Sequence, residues 1–169
     1  MAITNEQLCE KLNDLIQLDF DAIEAYQAAI ERLESADCRQ HMETFMRDHE
    51  RHTANLSEQV RLLGGTPKTK GDFMAMLTKG KVVIGQLAED KGILMAMNAN
   101  EAVTNKTYEK VLAELGGHPA AEAVVRGNLA DERRHKAWIE QKLELLEHGD
   151  DLHARERGQQ PGESARGSW

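Results

Sequence analysis

The chain has 169 residues, which suit one domain with a substantial core and are too few for two ordinary domains. Aromatic residues make up only 4% of the chain, and this composition favours helices over a β-sandwich or barrel, which draw on aromatic and β-branched residues. The 29 acidic side chains exceed the 21 basic ones and give a net charge of -8. This charge argues against nucleic acids and anionic membranes as partners, because both bind basic surfaces.

The sequence predicts neither a membrane span nor a cysteine-based site. No apolar run approaches the roughly 20 residues needed to cross a bilayer, and residues 1–8 lack the apolar core of a signal peptide. Cys9 and Cys38 form no C-x-x-C pair, which argues against a disulfide scaffold and a cysteine zinc site. We therefore expect a cytoplasmic protein.

Two helices are predicted in the first half of the chain. Thr4 caps the first, and apolar residues then recur every three or four positions to about Ser35. The second begins at Asp37 and is stopped by the GGTP sequence at 64–67, since glycine suits a helix C-terminus and proline cannot continue the helix. The short loop between them predicts an antiparallel hairpin.

The second half repeats this organisation after a long connection over 66–85, in which residues 72–79 are predicted to form a short helix. A third helix runs from about Gln86 to Leu115, and a fourth runs from the His118-Pro119 pair to about Glu147. Residues 1–148 are thus predicted to be an all-α four-helix bundle of two antiparallel hairpins joined by a crossover. The polar tail, 149–169, is predicted to be disordered.

Ionisable residues interrupt the apolar stripes of all four helices. Burying a charged group is costly unless it is paired or binds a metal. Two pairs lie three residues apart and so project from one helix face. The six residues are Asp19, His49, His52, Glu101, Glu132 and His135.

The same residues form an internal repeat. Asp19 and Glu101 are each followed seven positions later by a tyrosine, Tyr26 and Tyr108. The segment DHERH at 48–52 resembles DERRH at 131–135. Two hairpins with this common plan would bring six ligand-type side chains together at mid-bundle. Carboxylates with imidazoles suit iron, manganese or zinc.

The stretch DFDAIEAY at 19–26 resembles the first-helix motif of bacterioferritins and rubrerythrins. One carboxylate on the first helix of each hairpin, with Glu-x-x-His on its partner, is similar to the di-metal signature of the ferritin-like superfamily. The resemblance covers roughly residues 5–147 and is closest to small bacterial ferritin-like proteins of poorly defined function. It implies two divalent ions, with iron favoured over zinc or manganese. It further implies oxidation of Fe(II) or reduction of O2 or peroxide, as in a ferroxidase- or peroxidase-like oxidoreductase that responds to oxidative stress.

Departures from the family pattern qualify this interpretation. Asp19 and His49 stand where the family usually has glutamate, so the site would hold three carboxylates and three histidines. This set shifts the preference towards zinc, and a single-ion site is an alternative. Glu50 stands where bacterioferritins have a haem-ligating methionine, so no haem is expected. With two cysteines, the rubredoxin-like site of rubrerythrins is absent, which calls for an external electron donor.

Other residues near the predicted site are alternative metal ligands or could support the ligands. Glu24 and Asp21 are alternatives to Asp19, and Asp48 is an alternative to His49. Tyr26 and Tyr108 are predicted to pack in the core with hydrogen-bonded hydroxyls, from which they could support catalysis. Asp48 and Asp131 are candidate acceptors for the second ring nitrogens of the histidines.

Two other functions remain open. One is a non-catalytic storage or stress protein that binds iron or zinc without turnover. The other is a structural helical bundle whose polar residues satisfy one another. In each case we expect a homodimer or a higher homo-oligomer.

Overall fold

The computed structural model describes residues 3–70, 87 and 89–158. Within these residues every regular element is a helix, which confirms the all-α prediction. The four helices are α1 (Asn5–Ile30), α2 (Ala36–Leu62), α3 (Asp90–Glu114) and α4 (Pro119–Gly158). The predicted helix over 72–79 and the predicted start of α3 at Gln86 lie outside the described residues.

The first helix begins as predicted but ends earlier. Thr4 and Gln7 form a capping box, in which each side chain accepts a hydrogen bond from the other's backbone N–H. The helix ends at Ile30, before the predicted Ser35, because Ser35 instead caps α2 by accepting from the Cys38 N–H. The carboxylate of Asp90 at the start of α3 accepts from the N–H groups of residues 34 and 35. A contact distant in sequence thus sets the turn.

The end of α2 depends on two glycines. Gly64 has a φ of 82°, the left-handed conformation that favours glycine at a helix C-terminus. Gly65 donates its N–H to the Val60 carbonyl at 2.9 Å, and a Cβ at Gly65 would lie 2.7 Å from the Cys9 sulfur. The chain therefore leaves α2 in close contact with α1.

The last helix continues to Gly158, although the sequence predicts a disordered tail from Gly149. No proline occurs between Pro119 and Pro161, and a single glycine inside a helix costs only about 1 kcal/mol. Leucine, alanine, arginine and glutamate in the intervening segment are good helix formers, so propagation from an established helix outweighs the polar composition.

The bundle has two apolar layers with a polar layer between them. Helix α1 packs on α2 and α3 on α4, and the two hairpins meet through α1–α3 and α2–α4. One apolar cluster includes Leu12, Leu56 and Val125, and the other includes Met42, Met97 and Ile139. No helix among the described residues is long and apolar enough to cross a membrane. The polar layer holds the candidate site.

Candidate metal centre

The six predicted ligand residues meet in the polar layer at mid-bundle. Each helix carries its members at the middle of its buried face, so the apolar clusters above and below exclude solvent from them. All six are at most 1% exposed: Asp19, His49, His52, Glu101, Glu132 and His135. Two sets of four ligand atoms each lie within 4.8 Å of one another.

The first set is called subsite 1 and consists of Asp19, His49, His52 and Glu132. The Asp19 carboxylate is 2.7 Å from His49 Nδ1 and 3.4 Å from His52 Nδ1. Glu132 Oε1 lies 3.1 Å from His52 Nδ1 and 3.4 Å from His49 Nδ1. Subsite 1 is therefore closed by direct contacts between its carboxylates and imidazoles.

The second set is called subsite 2 and consists of His49, Glu101, Glu132 and His135. Glu101 Oε1 is 3.8 Å from His49 Nε2 and 3.9 Å from His135 Nδ1. Glu132 Oε2 is 3.9 Å from His135 Nδ1. These separations exceed hydrogen-bonding distance, so subsite 2 is open at its centre.

Five buried polar atoms of the site have no hydrogen-bond partner: His49 Nε2, Glu101 Oε2, Glu132 Oε1, Glu132 Oε2 and His135 Nδ1. Leaving such an atom unsatisfied in a protein interior costs about 1–3 kcal/mol. A cation that binds carboxylate oxygens and imidazole nitrogens would satisfy all five. The donor set present therefore fits one or two divalent metal ions.

The two tyrosines each support the carboxylate of the opposite hairpin. Tyr108 on α3 donates its hydroxyl to Asp19 Oδ2 at 2.5 Å. Tyr26 on α1 donates to Glu101 Oε1. The seven-residue spacing in each hairpin thus gives a crossed pair of hydrogen bonds, which orients both carboxylates across the bundle.

A second crossed pair orients two of the histidines. His135 Nε2 is 2.9 Å from Asp48, and His52 Nε2 is 3.2 Å from Asp131. Each ring therefore turns its Nδ1 atom towards the site. These are the two acceptors predicted from the sequence.

Two half-exposed arginines form ion pairs with Asp48 and Asp131 on the outer side of the site. Arg51 lies 2.7 Å from Asp48 and 2.6 Å from Asp131. Arg134 lies 2.5 Å from Asp48 and 3.0 Å from Asp131. Each guanidinium thus bridges α2 and α4 while neutralising the carboxylates that hold the histidines.

Subsite 1 is organised by opposite charges. Burial alone would raise the pKa of the Asp19 carboxyl, but hydrogen bonds from His49 and His52 outweigh burial and lower it. Burial would likewise lower the pKa of His52, yet Asp19 and Glu132 raise it to about 9. The pKa of His49 is also raised, since the charge of Glu132 and the hydrogen bond to Asp19 outweigh burial. The imidazoles here are cationic when no metal is bound.

At two residues of subsite 2, Glu132 and His135, burial instead outweighs the attraction of opposite charges. Burial, together with the charges of Glu101 and Asp19, raises the pKa of Glu132 to about 7. Burial and the nearby His49 cation lower the pKa of His135 to about 4. The ring of Phe45 stacks on that of His135 with centroids 4.3 Å apart, which keeps this face of the imidazole dry. His135 is therefore neutral near pH 7, the form in which imidazole binds metals.

The alternative ligands occupy other positions. Glu24 forms an ion pair with Lys70, outside both subsites. Asp48 contacts His135 from the outer side, and Asp21 belongs to neither subsite. The geometry thus brings together the six residues of the original prediction rather than these three.

One supporting residue was missed in the sequence. Asn105 is buried, and its amide donates to the backbone carbonyls of Glu101, at 2.8 Å, and Glu132, at 3.1 Å. It therefore links α3 to α4 at two predicted ligands. Its position four residues after Glu101, on the same helix face, was the available signal.

Comparisons with known proteins agree with this architecture. The family model described as a domain of unknown function, DUF2383, matches residues 7–114. No curated protein matches the sequence significantly.

Several solved structures are similar to the chain, among them the following three. The dodecameric thioferritin, a bacterioferritin-related protein from Bacteroides fragilis, is 16% identical with a TM-score of 0.80, over 89% of this chain and 92% of that one. A ferritin-like diiron-carboxylate protein from Bacillus anthracis is 22% identical with a TM-score of 0.69, over 85% and 99%. Dps from Staphylococcus aureus is 13% identical with a TM-score of 0.69, over 84% and 98%. At these identities the comparisons show the fold, which is ferritin-like.

Proposed function

We propose that this chain, which belongs to the DUF2383 family of domains of unknown function, binds two divalent metal ions side by side in the polar layer of its bundle. The observation that carries the proposal is the set of five unpartnered ligand atoms at the centre of the site. Six buried ligand-type residues that merely satisfied one another would leave no such set, because each unsatisfied atom is costly.

The ligands divide between the two ions. Asp19 and His52 belong to subsite 1, and Glu101 and His135 belong to subsite 2. His49 and Glu132 are common to both. Three carboxylates offset most of the charge of two divalent ions, while the apolar clusters keep competing water away.

Iron is the metal that we propose, with zinc and manganese as the alternatives. The similar protein from Bacillus anthracis is described as a diiron-carboxylate protein, and carboxylates mixed with imidazoles suit iron. When bound, iron would supply one-electron redox chemistry towards O2 or peroxide, with electrons from Fe(II) itself or from an external donor. The protein would act as a ferroxidase- or peroxidase-like oxidoreductase in oxidative stress.

The chain's own residues would prepare the site for this role. Tyr26 and Tyr108 hold Glu101 and Asp19 in place through their hydroxyls. Asp48 holds His135 with its Nδ1 facing inwards, and Asp131 does the same for His52. These hydrogen bonds orient the four ligand side chains before any ion arrives.

A second candidate function is metal storage without turnover. It is favoured by His49, which makes the ligand set richer in nitrogen than four carboxylates with two histidines and therefore more suitable for zinc. Either function is compatible with assembly into a homo-oligomer. The dodecameric state described for the similar Bacteroides fragilis protein supports this part of the proposal.

The test is an anaerobic titration of the metal-free protein with Fe(II), Mn(II) and Zn(II). We expect two equivalents per chain and a raised melting temperature, since a ligand at 100 times its Kd stabilises the folded state by about 2.7 kcal/mol. Admission of air to the Fe(II) form should then oxidise the iron if the site turns over. Binding without oxidation would support storage. If none of the three metal ions bound stoichiometrically, the proposed metal site would be wrong.

Light scattering on the same samples gives the mass of the assembly. A mass of two or more chains is expected, and a monomer at all concentrations would contradict the proposed homo-oligomer. For the metal titration the exposed His148→Gln variant serves as the control, because His148 hydrogen-bonds with the Glu144 carbonyl and lies outside both subsites.

A further inference from the structure

His49 differs from the other two histidines because both of its ring nitrogens lie near carboxylate oxygens of the two subsites themselves. Its Nδ1 atom lies 2.7 Å from Asp19 and 3.4 Å from Glu132 Oε1, within subsite 1. Its Nε2 atom faces Glu101 Oε1 at 3.8 Å and has no hydrogen-bond partner, within subsite 2. The ring thus stands between the two subsites with one nitrogen in each.

The other histidines are each tied by one nitrogen to an aspartate outside the site. Asp131 contacts His52 Nε2, and Asp48 contacts His135 Nε2. Each of these rings has a single nitrogen left for a metal. Among the described contacts, His49 has no aspartate of this kind, so both of its nitrogens face the centre.

The two carboxylate oxygens of Glu132 also lie in different subsites. Its Oε1 atom is 3.1 Å from His52 Nδ1 in subsite 1, and its Oε2 atom is 3.9 Å from His135 Nδ1 in subsite 2. Neither oxygen has a hydrogen-bond partner. Two residues therefore span the gap between the ligand sets, one by its ring and one by its carboxylate.

We propose that His49 bridges the two metal ions through its ring, with Nδ1 on the ion of subsite 1 and Nε2 on the ion of subsite 2. Glu132 forms the second bridge through its two oxygens. This inference rests on the proposed two-ion function and specifies how the ions are joined. When both nitrogens bind metal, the ring carries no N–H, and the displaced protons leave to the solvent.

The bridge has a measurable consequence for the distance between the ions. Two ions on opposite sides of an imidazole, each about 2.0–2.1 Å from a nitrogen, lie about 6 Å apart. Two-metal sites of other kinds hold their ions about 3.5–4 Å apart. The ring therefore keeps the two ions too far apart to share a single small ligand atom.

The experiment is a crystal structure of the Zn(II)-loaded protein with anomalous data at the zinc edge, for wild type and for His49→Glu. We expect two zinc peaks about 6 Å apart on either side of the His49 ring in wild type, by the same bond lengths. In His49→Glu a carboxylate replaces the ring, and the peaks should move to about 3.5–4 Å. His148→Gln should give the wild-type separation.

A further variant separates bridging from simple ligation. His49→Gln offers one metal-binding oxygen, so we expect it to lose at least one of the two zinc ions, as counted by elemental analysis. Circular dichroism of the metal-free variants checks that each folds. Wild-type peaks at about 3.5–4 Å would overturn the bridge while leaving two-ion binding intact. So would a His49→Gln protein that retained both ions at the wild-type separation.

The number of bound ions separates failure of the bridge from failure of the proposed function. A wild-type protein that holds a single zinc ion overturns the bridge but keeps metal binding. A wild-type protein that holds no zinc, iron or manganese overturns the proposed function and the bridge together. The two failures are thus distinguishable from the metal content alone.

Discussion

The two hairpins follow one plan, yet they build unequal halves of the site. In subsite 1 the carboxylates lie 2.7–3.4 Å from histidine nitrogens, and opposite charges hold the set together. In subsite 2 the corresponding distances are 3.8–3.9 Å, and His49 Nε2, His135 Nδ1 and Glu132 Oε2, which these distances join, have no hydrogen-bond partner. Without metal, subsite 1 is closed on itself and subsite 2 is open.

The difference comes from which residue occupies each equivalent position. His49 stands in the first hairpin where Glu132 stands in the second, and Asp19 stands where Glu101 does. The cation of His49 turns towards Asp19, since a buried charge needs a partner. An ion entering subsite 1 must break these short ion pairs, whereas the His49–Glu101 pair of subsite 2 is longer, with 3.8 Å between Nε2 and Oε1. We therefore expect subsite 2 to fill first.

The largest effect should follow from the carboxylate that both halves share. Glu132→Ala removes an oxygen from each subsite, and we expect the affinity for both ions to fall by more than about 100-fold, since even residues that only support a ligand are worth about 10–100-fold. Calorimetric titration with Zn(II) measures the loss. Glu140→Gln on the same helix, a half-exposed residue paired with Lys136, is the control. Retention of two tight ions in Glu132→Ala would contradict the shared role.

The next pair of variants compares the halves directly. His135→Ala should remove the ion of subsite 2, and His52→Ala the ion of subsite 1, so each protein should bind one equivalent instead of two. Because the ion pair within subsite 2 is longer than those within subsite 1, the ion kept by His52→Ala should be the tighter one. Elemental analysis and competition with a chelator test this order. The reverse order would show that preformed ion pairs do not limit binding.

The pH dependence of the metal affinity should reveal which protons the ions displace from each subsite. The pKa values of Glu132, about 7, and His52, about 9, both lie above their ordinary values, so each group holds its proton more tightly in the folded protein. Below pH 7 an ion must displace the proton of Glu132 as well as protons of His49 and His52, whereas between pH 7 and 9 it displaces only the histidine protons. Affinity should therefore rise with pH, by about tenfold per unit for each proton released.

Calorimetry in two buffers of different ionisation enthalpy counts these protons. In His52→Ala the slope between pH 7 and 9 should decrease, because one of the two protonated imidazoles of subsite 1 is absent while His49 remains. An unchanged slope in His52→Ala would show that His52 releases no proton when metal binds.

The smallest effects should come from the crossed tyrosines in the metal-free protein. Loss of a hydrogen bond to a charged group costs about 1.5–3 kcal/mol, so Tyr26→Phe and Tyr108→Phe should each lower the free energy of unfolding by about this amount. Tyr108→Phe should cost more, since its hydroxyl also contacts the Asn128 amide at 3.4 Å. Urea denaturation of both variants measures the difference. Equal losses would show that the Asn128 contact contributes little.

Much of the site was accessible to sequence reasoning because its signals are local. A charged residue on an apolar helical stripe, such as Glu101, stands out in the periodicity of its own helix. The repeat between 48–52 and 131–135 then indicates that two such helices face a common centre. Asn105 escaped notice because an amide on a helix face carries little signal until its partners on a second helix are known.

Other features were not predictable because contacts between distant parts of the chain determine them. The early end of α1 depends on Asp90, whose carboxylate accepts the N–H groups of residues 34 and 35 from across the bundle. No periodicity within α1 reports that contact. The place of Glu24 likewise depends on a residue distant in sequence, Lys70, with which it pairs outside both subsites.

The sequence by itself determined the four helices, their pairing into hairpins and the six residues at the centre, because helical periodicity fixes which side chains share a face. Only the tertiary structure decided which atoms meet. The two tyrosines, Tyr26 and Tyr108, and the two outer aspartates, Asp48 and Asp131, each contact a residue of the opposite hairpin. Among the three histidines of the site, His49 alone turns both ring nitrogens to the centre. The direction of a ring or a carboxylate depends on the charges that neighbouring helices place around it, and those neighbours are set by packing rather than by position along the chain.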